Sequence, residues 1–261
     1  MFSKIIVLSI TLLCVACNTN QSNGQKVKSK PISLTIETEN PYTTINKIPL
    51  PSGFYRVVEL KNSYGEFLQH ISLKKDKTVY KFNGELKGNQ TAQFAVLDVS
   101  VGNKDLQQCA DAVMRLRAEY LFAQKKFTQI DFIDNNLKHY KFYPPYTRTH
   151  FTTYLEQVFG MCGSASLAKQ LNTVPNFRSI KIGDILIRGG FPGHAVQVID
   201  MAENNNAEKI YLLAQGFMPA QDIHVLVNVV DTDLSPWCKV NEKSIIQTPE
   251  YTFRSDELKM W

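Results

Sequence analysis

Three short β-prone apolar runs, separated by turn-forming residues, follow one another between residues 182 and 216. The middle run begins at His194, directly after a turn rich in glycine and proline, and the last run leads to Gln215. Runs of this length with polar turns between them are typical of neighbouring strands in an antiparallel sheet. The pattern therefore predicts a meander whose middle strand starts with an imidazole and whose last strand ends with an amide.

Residues 105–125 follow a helical period instead. The apolar positions of this segment share one helix face: Cys109, Ala112, Val113, Leu116 and Tyr120. The helix is predicted to begin at Asp105, whose side chain would cap it. The charged residues Asp111, Arg115 and Glu119 lie four positions apart and are predicted to form a solvated or helix-bracing face.

Weaker signals complete the predicted architecture. Strands are expected at residues 53–60, 78–82, 92–98, 127–133, 219–227 and 251–253, and short helices at 150–159, at 164–171 and after a Ser63 cap. One long helix followed by several antiparallel strands is typical of the α+β class. The chain is long enough for a single globular domain over residues 31–261, within which residues 31–98 could form an N-terminal lobe.

Residues 1–16 have the layout of a secretion signal, with Lys4 ahead of a short apolar run. The small residues before Cys17 resemble the lipobox of bacterial lipoproteins, although Cys14 stands where an aliphatic residue is usual. This resemblance implies cleavage before Cys17 and lipidation of its thiol; a plain secretory signal is the alternative. Residues 17–30 are polar and predict a flexible tether. We therefore expect a lipid-anchored outer-membrane protein of the bacterial cell envelope that faces the periplasm.

Charge excludes one class of partner. The chain has 29 Lys and Arg residues against 24 Asp and Glu residues, a formal net charge of +5. The basic residues are scattered and form no dense patch, so no nucleic-acid partner is expected. A mildly basic surface suits an anionic neighbour such as the cell wall or lipid headgroups.

Cysteine is the candidate nucleophile. With Cys17 assigned to the lipid, Cys109, Cys162 and Cys238 remain, and an odd number leaves at least one of them free or bonded to another molecule. Cys109 lies in the first turn of the predicted long helix, where the helix dipole would stabilise a thiolate. Cys162 lies in a glycine-flanked loop that a substrate could approach closely, and it stays an alternative. The plainer interpretations are a buried core cysteine for Cys109 and a small loop residue or disulfide partner for Cys162.

The other members of a catalytic set follow from the meander. His194 is the candidate general base and Gln215 the candidate residue that orients it. Gln107 and Gln108 precede Cys109, and an amide of this pair, in particular Gln108, could donate to a tetrahedral oxyanion. Ordinary structural roles, a capped turn for His194 and a strand-end amide for Gln215, are the alternatives.

Candidate ligand-binding residues are Gly193, Gln221 and His224. Asp222 and His224 share one face of the strand predicted after the meander, which would suit a metal ligand pair. After the signal segment and Cys17, the chain has no paired-histidine helix motif and no Cys-x-x-Cys motif to support such a site, so no metal and no cofactor is expected.

Four segments of the chain resemble a bacterial lipoprotein family that is built on a domain of unknown function. They read DLQQCADAVMRLRAEY at 105–120, GGFPGHA at 189–195, MPAQDIH at 218–224 and TPE at 248–250. Cys109 lies inside the first segment, whereas the family has a small residue at the position of Cys162, which favours Cys109 as the nucleophile. The order of helix-borne cysteine, histidine-led strand and polar-ended strand is also similar to NlpC/P60 and other papain-like peptidases and amidases. That similarity implies a cysteine-bearing helix packed on an antiparallel sheet.

Two functions are consistent with these patterns. The first is a papain-like thiol hydrolase or amidase that acts on a cell-wall peptide or another amide. The second is a non-catalytic envelope lipoprotein that serves as a binding or scaffold module. Its ligand surface would combine the turn before His194 with the aromatic residues between 140 and 154.

Overall fold

The three apolar runs form consecutive antiparallel strands in the computed structural model, which describes residues 39–240 and 244–261. The predicted signal peptide at 1–16, the lipidation site Cys17 and the tether at 17–30 lie outside the described residues. Helices and antiparallel strands are combined as the α+β class requires, so the predicted fold class is confirmed.

The described α-helices are few and vary in length. They are α1 (Tyr64–Gln69), α2 (Cys109–Ala123), α3 (Arg148–Met161) and α4 (Ser164–Gln170). Ser63 caps α1 as predicted, since its hydroxyl accepts a hydrogen bond from the main-chain N–H of Glu66. None of the helices in this part of the chain combines the length and the hydropathy that a transmembrane span requires.

Most strands are short, and β7 and β8 are the exceptions. The strands are β1 (Phe54–Arg56), β2 (Gln93–Val96), β3 (Asp131–Ile133), β4 (His139–Lys141), β5 (Asn172–Thr173), β6 (Ile185–Arg188), β7 (His194–Asn204), β8 (Lys209–Gln215), β9 (His224–Leu226), β10 (Cys238–Lys239), β11 (Ile245–Gln247), β12 (Thr252–Arg254) and β13 (Leu258–Met260).

The main sheet has nine strands among the described residues, with β2-β9-β8-β7-β6-β13-β5 as its path and with β1 and β10 paired to β7 and β8. The predicted meander corresponds to β6, β7 and β8. Within it, Gln197 pairs with Ala214, and Gln215 pairs with His224 on β9. This register brings the start of β7, the end of β8 and the start of β9 together at the same end of these central strands.

Both faces of the central strands are covered, which explains why β7 reads as a nearly unbroken apolar run. On one face, Leu116 of α2 shares a buried cluster with Ile199 of β7. On the other face, the neighbouring residue Val198 shares a cluster with Phe253 of β12. Burying one such side chain contributes about 1.5–3 kcal/mol. The central strands are therefore a rigid support for the residues at their ends.

The N-terminal residues of the described part add to this same sheet. β1 pairs with β7, and β2 pairs with β9. Residues 78–82, predicted as a strand, form only isolated bridges at Tyr80 and Lys81, and residues 127–129 form a 3-10 turn ahead of β3. These two strand predictions are therefore wrong in extent, because propensity alone does not reveal which segments find a pairing partner.

Candidate functional site

Cys109 is the first residue of α2, and the hydrogen bonds before it explain why the helix starts there. The main-chain N–H of Gln108 donates to the Asp111 carboxylate at 3.0 Å. The predicted start at Asp105 is wrong, because the Asp105 carboxylate accepts from the main-chain N–H of Ala220 at 2.7 Å. Asp111 is buried, so of the two predicted roles for its face, solvated or helix-bracing, Asp111 has the helix-bracing one. The capping contact of Asp111 fixes Cys109 at the positive end of the helix.

His194 is the first residue of β7, and glycine at position 193 makes its approach to α4 possible. A Cβ atom on Gly193 would clash with the Ser164 hydroxyl and the Gly190 carbonyl, and would lie 2.9 Å from the Arg188 carbonyl oxygen. Only glycine fits this close approach. The glycine-rich turn therefore sets where the imidazole enters the site.

Gln215 ends β8 and contacts His194 directly. The distance between His194 Nε2 and Gln215 Oε1 is 2.8 Å. An amide oxygen only accepts hydrogen bonds, so Nε2 carries the imidazole proton and Nδ1 is the unprotonated nitrogen of the neutral ring. The predicted pair of His194 and Gln215 is brought together in the arrangement that an orienting residue requires.

A second close approach joins the end of β8 to the start of α2. A Cβ atom on Gly216 would lie 2.8 Å from the Gln108 carbonyl oxygen and 2.9 Å from Ala112 Cβ. Any side chain at position 216 would push the strand and the helix apart. Gly216 therefore allows the end of β8, which bears Gln215, to pack closely against the start of α2, which bears Cys109.

Cys109 and His194 line one cleft of about 610 Å³, together with Gln108, Gly193 and Cys162. Most other side chains in its wall are apolar or aromatic: Leu106, Phe159, Phe191, Pro192, Phe217, Met218 and Tyr251. The Cys109 thiol and the His194 imidazole therefore border the same cavity. A volume of this size suits a small ligand or one end of a larger one.

Burial is the largest cause of the pKa shifts of the Cys109 thiol and the His194 imidazole. It raises the pKa of the Cys109 thiol, and Asp111 adds to this rise, against hydrogen bonds from the main chain of Ala110, Ala195 and Cys109 itself. Burial also lowers the pKa of His194, against the Gln215 hydrogen bond and the charge of Glu250. The expected thiolate at the helix start is therefore not favoured, and thiol and imidazole are both neutral near pH 7.

The two glutamines before Cys109 have different surroundings. Gln107 is buried, and its Oε1 accepts from Arg115 Nη1 at 2.8 Å outside the cleft. Gln108 lines the cleft, and its amide donates to Asp105 at 3.0 Å. The second hydrogen of the Gln108 amide can donate to a ligand oxygen. Of the two candidate oxyanion donors, Gln108 is the one that lines the cleft.

Three cysteines are free in the described part of the chain. Cys162 follows the last residue of α3 and lines the same cleft as Cys109, and burial raises its pKa to about 12. Cys238 lies on β10 and lines a different cavity. Cys109 and Cys162 both share the cleft with His194, and Cys109 is the one that begins α2 directly after Gln108, which favours Cys109 among the three.

Gln221 and His224, the two further candidate ligand contacts, are buried and do not line the cleft. His224 lies behind Gln215, with its Nε2 3.2 Å from the Gln215 amide nitrogen and its Nδ1 2.9 Å from the Asp222 carbonyl oxygen. Burial lowers the pKa of His224 to about 4. Among the described residues, no group of three or more His, Cys, Asp or Glu side chains could hold a metal ion.

Sequence reasoning missed several residues that surround His194. Its ring centroid lies 5.0 Å from the rings of Phe217 and Tyr251. The Tyr251 hydroxyl donates to the Pro192 carbonyl at 3.2 Å, and the neighbouring Glu250 accepts from the Gln215 amide at 2.7 Å. Residues 248–250 belong to one of the family-like segments, but nothing in the sequence connects them with His194. Contacts between residues so far apart in the chain leave no local signal.

The family model described as domain of unknown function 4846 (DUF4846) matches the chain over residues 45–145 and again over residues 133–260. These matches cover well over half of the chain, and the protein belongs to this family. The expected membership of a family of unknown function is thereby confirmed. No curated protein matches the chain, and no solved structure matches it. The family description states no activity, so any function must be inferred from the site itself.

Proposed function

We propose that this protein is a thiol hydrolase of the papain-like type, with Cys109 as nucleophile, His194 as general base and Gln215 as the residue that orients His194. One observation carries the proposal: Cys109 and His194 line the same cleft, and His194 Nε2 lies 2.8 Å from Gln215 Oε1. A thiol and an imidazole in one cleft, with a polar group that orients the imidazole, are the components of covalent catalysis by cysteine.

The reaction starts from a neutral pair. As Sγ attacks the carbonyl carbon of an amide, the thiol proton passes to His194 Nδ1 and the carbonyl oxygen becomes an oxyanion. The main-chain N–H of Cys109 and the amide of Gln108 donate to that oxyanion at the N-terminus of α2. The imidazolium then protonates the leaving nitrogen as the carbon–nitrogen bond breaks. Water hydrolyses the thioester, which releases the acid and restores the thiol.

The substrate class is an amide, and a cell-wall peptide is the substrate that the expected location favours. Among the described residues of the cleft wall, the charged side chains besides the titratable His194 are Asp105 and Asp111. The Asp105 carboxylate already accepts from Ala220 and Gln108, and burial raises the pKa of Asp111 well above its usual value. The part of the substrate that binds next to Cys109 is therefore uncharged.

The proposed location follows from the N-terminal sequence. Lipidation at Cys17 would anchor the protein to the bacterial envelope, and the polar stretch after it would tether residues 31–261 at the membrane surface. An outer-membrane lipoprotein that faces the periplasm would meet wall peptides there. The resemblance of residues 14–17 to a lipobox supports this assignment.

A binding module is the second candidate function. Phe191 and Met218 line the cleft, and their exposed fractions are 95% and 55%. Large apolar side chains exposed in a cleft are typical of a ligand-binding surface. The raised pKa of the Cys109 thiol also lowers its reactivity as a free nucleophile. A protein that binds through these two side chains would need no catalysis by His194.

Acylation of Cys109 by p-nitrophenyl acetate separates the two functions, with the adduct located by mass spectrometry between about pH 5 and pH 9. General-base catalysis makes the wild-type rate follow the unprotonated form of His194. Because burial lowers the pKa of this residue, the rate should rise with a midpoint below pH 6.5 and then stay constant up to about pH 8.

The matched control is His194→Ala. At pH 7 this variant should acylate about 100-fold more slowly, and its rate should climb about tenfold with each pH unit because only the thiolate reacts. Identical profiles for the wild type and His194→Ala would contradict the hydrolase and leave the binding module.

A further inference from the structure

Gln215 has a fixed orientation because each end of its amide has a directional partner. Its nitrogen donates to the Glu250 carboxylate at 2.7 Å and lies 3.2 Å from His224 Nε2, while its oxygen faces His194 Nε2 at 2.8 Å. A glutamine amide can turn by about 180° and exchange its nitrogen and oxygen with little change in shape. The partners of Gln215 decide which of the two orientations is present.

The tautomer of His224 is compatible with only one orientation of the Gln215 amide. His224 Nδ1 lies 2.9 Å from the Asp222 carbonyl oxygen, which only accepts, so Nδ1 carries the proton. Its Nε2 is then an acceptor for one hydrogen of the Gln215 amide, and Glu250 accepts the other. The burial that lowers the pKa of His224 to about 4 keeps this ring neutral at pH 7. A turned amide would set its oxygen against the Glu250 carboxylate.

Glu250 is itself held by a buried ion pair. Lys87 Nζ donates to both carboxylate oxygens of Glu250, at 2.7 and 2.8 Å, and also to the Asn89 carbonyl at 2.9 Å. The side chains of Lys87 and Glu250 are 5% and 12% exposed. A carboxylate buried this far needs a partner of opposite charge, and Lys87 supplies it. The pair lies on the side of Gln215 away from the cleft and does not line it.

We propose that Glu250 is a positioning residue: the side-chain oxygen at this position, which Lys87 holds in place in the wild type, accepts from the Gln215 amide, so that His194 keeps its proton on Nε2 and Nδ1 is the nitrogen that can take the Cys109 proton. The inference rests on the proposed function for its catalytic meaning. Its structural content, the tautomer of His194, can be measured without any substrate. Glu250 belongs to the turn between β11 and β12, which also supplies Tyr251 to the cleft wall.

The test compares two double variants of the full chain. The acceptor-retaining variant combines Lys87→Met with Glu250→Gln, which removes both charges but keeps an oxygen that accepts from Gln215. The acceptor-free variant combines Lys87→Met with Glu250→Met, which removes that oxygen as well. Replacing a buried ion pair by uncharged side chains of similar volume is usually tolerated, whereas removing one partner is not. The two variants therefore differ in the hydrogen bond to Gln215 and have equal charge.

The readout is the ¹⁵N spectrum of the imidazole nitrogens, with His194 identified by its absence in His194→Ala. The wild type and the acceptor-retaining variant should show His194 protonated at Nε2, and the acceptor-free variant should show a mixture of tautomers. Acylation of Cys109 by p-nitrophenyl acetate at pH 7 should fall on the order of tenfold in the acceptor-free variant. It should stay within about twofold of the wild-type rate in the acceptor-retaining variant.

Glu250→Asp is a milder third variant in case the acceptor-free variant does not fold. It keeps the ion pair with Lys87 but withdraws the carboxylate from Gln215 by one methylene, and it should show an intermediate proportion of the second tautomer. An unchanged His194 tautomer in both Glu250→Asp and the acceptor-free variant overturns the positioning role. If Cys109 of the wild type is not acylated but the His194 tautomer shifts in these variants, the result contradicts the hydrolase and supports the positioning role.

Discussion

Within the described residues, the cavity beside Cys238 and the cleft beside Cys109 differ in what surrounds the thiol. The larger, of about 790 Å³, is lined by Cys238 together with Tyr211, Asn228 and Asp231. The smaller, of about 610 Å³, is lined by Cys109 and His194. Burial raises the pKa of both thiols, to about 12 for Cys238. In both cavities the thiol is therefore less acidic than an ordinary cysteine.

The difference lies in the polar groups that converge on Cys109. No histidine is among the described residues that line the larger cavity, and the Cys238 sulfur has the Pro236 carbonyl oxygen at 4.0 Å. Around Cys109, the start of β7, the end of β8 and the start of α2 lie together at one end of the central strands. A buried thiol becomes a useful nucleophile when a base can take its proton during attack. The comparison therefore teaches that the neighbouring base, more than the thiol, marks the candidate site.

Replacing each cysteine by alanine tests the comparison most directly. Cys109→Ala should reduce acylation by p-nitrophenyl acetate at least about 1000-fold, because the nucleophile is lost. Cys238→Ala should change the rate by no more than about twofold, since none of the described residues around its cavity is a histidine that could act as base. The rates are measured by release of p-nitrophenolate and by the mass of the intact protein. Equal losses in the two variants would mean that the two cavities had been wrongly distinguished.

His194 and His224, which lie near Cys109, should also make the free energy of unfolding of the protein depend on pH. The folded pKa of His224 is about 4 against an ordinary value of 6.5, and that of His194 is lowered too. Between these pH values the unfolded chain binds more protons, so stability falls as the pH decreases from about 6.5 to about 4. For His224 alone the loss is about 3 kcal/mol.

Urea unfolding at pH 7 and pH 4 measures this loss. In His224→Gln the difference between the two pH values should be smaller by about 3 kcal/mol than in the wild type. The control is His139→Gln, because His139 is exposed and forms a surface pair with Asp131. A wild-type pH dependence in His224→Gln would show that this ring does not titrate on unfolding.

The contact that brings the Cys109 helix to the Gln215 strand has the smallest expected effect. Gly216→Ala would set a Cβ atom 2.8 Å from the Gln108 carbonyl oxygen and should destabilise the fold by about 1–3 kcal/mol. The control is Gly88→Ala, which meets no atom within 4 Å and should change stability by less than about 0.5 kcal/mol. Urea unfolding at pH 7 compares the two. A cost at position 216 no larger than at position 88 would contradict the close approach.

Local pattern determined much of the fold. The alternation of apolar runs and turns predicted the meander of β6, β7 and β8, with His194 at its first turn and Gln215 at its last strand end. The helical period predicted α2 and its buried face. These features depend on apolar runs bounded by turn residues and on a helical period of about 3.6 residues, both of which a short window of the sequence displays. The same patterns made Cys109, His194 and Gln215 the candidate set.

Tertiary structure decided the rest. Because Asp105 bonds Ala220, α2 begins at Cys109 and not at the residue that its capping pattern predicts. Lys87 and Glu250, 163 positions apart in the chain, meet behind Gln215. Burial, and not the helix dipole, sets the direction of the pKa shift of Cys109. Each outcome depends on which distant groups become neighbours and on how much water they lose, and neither is written in the local order of residues.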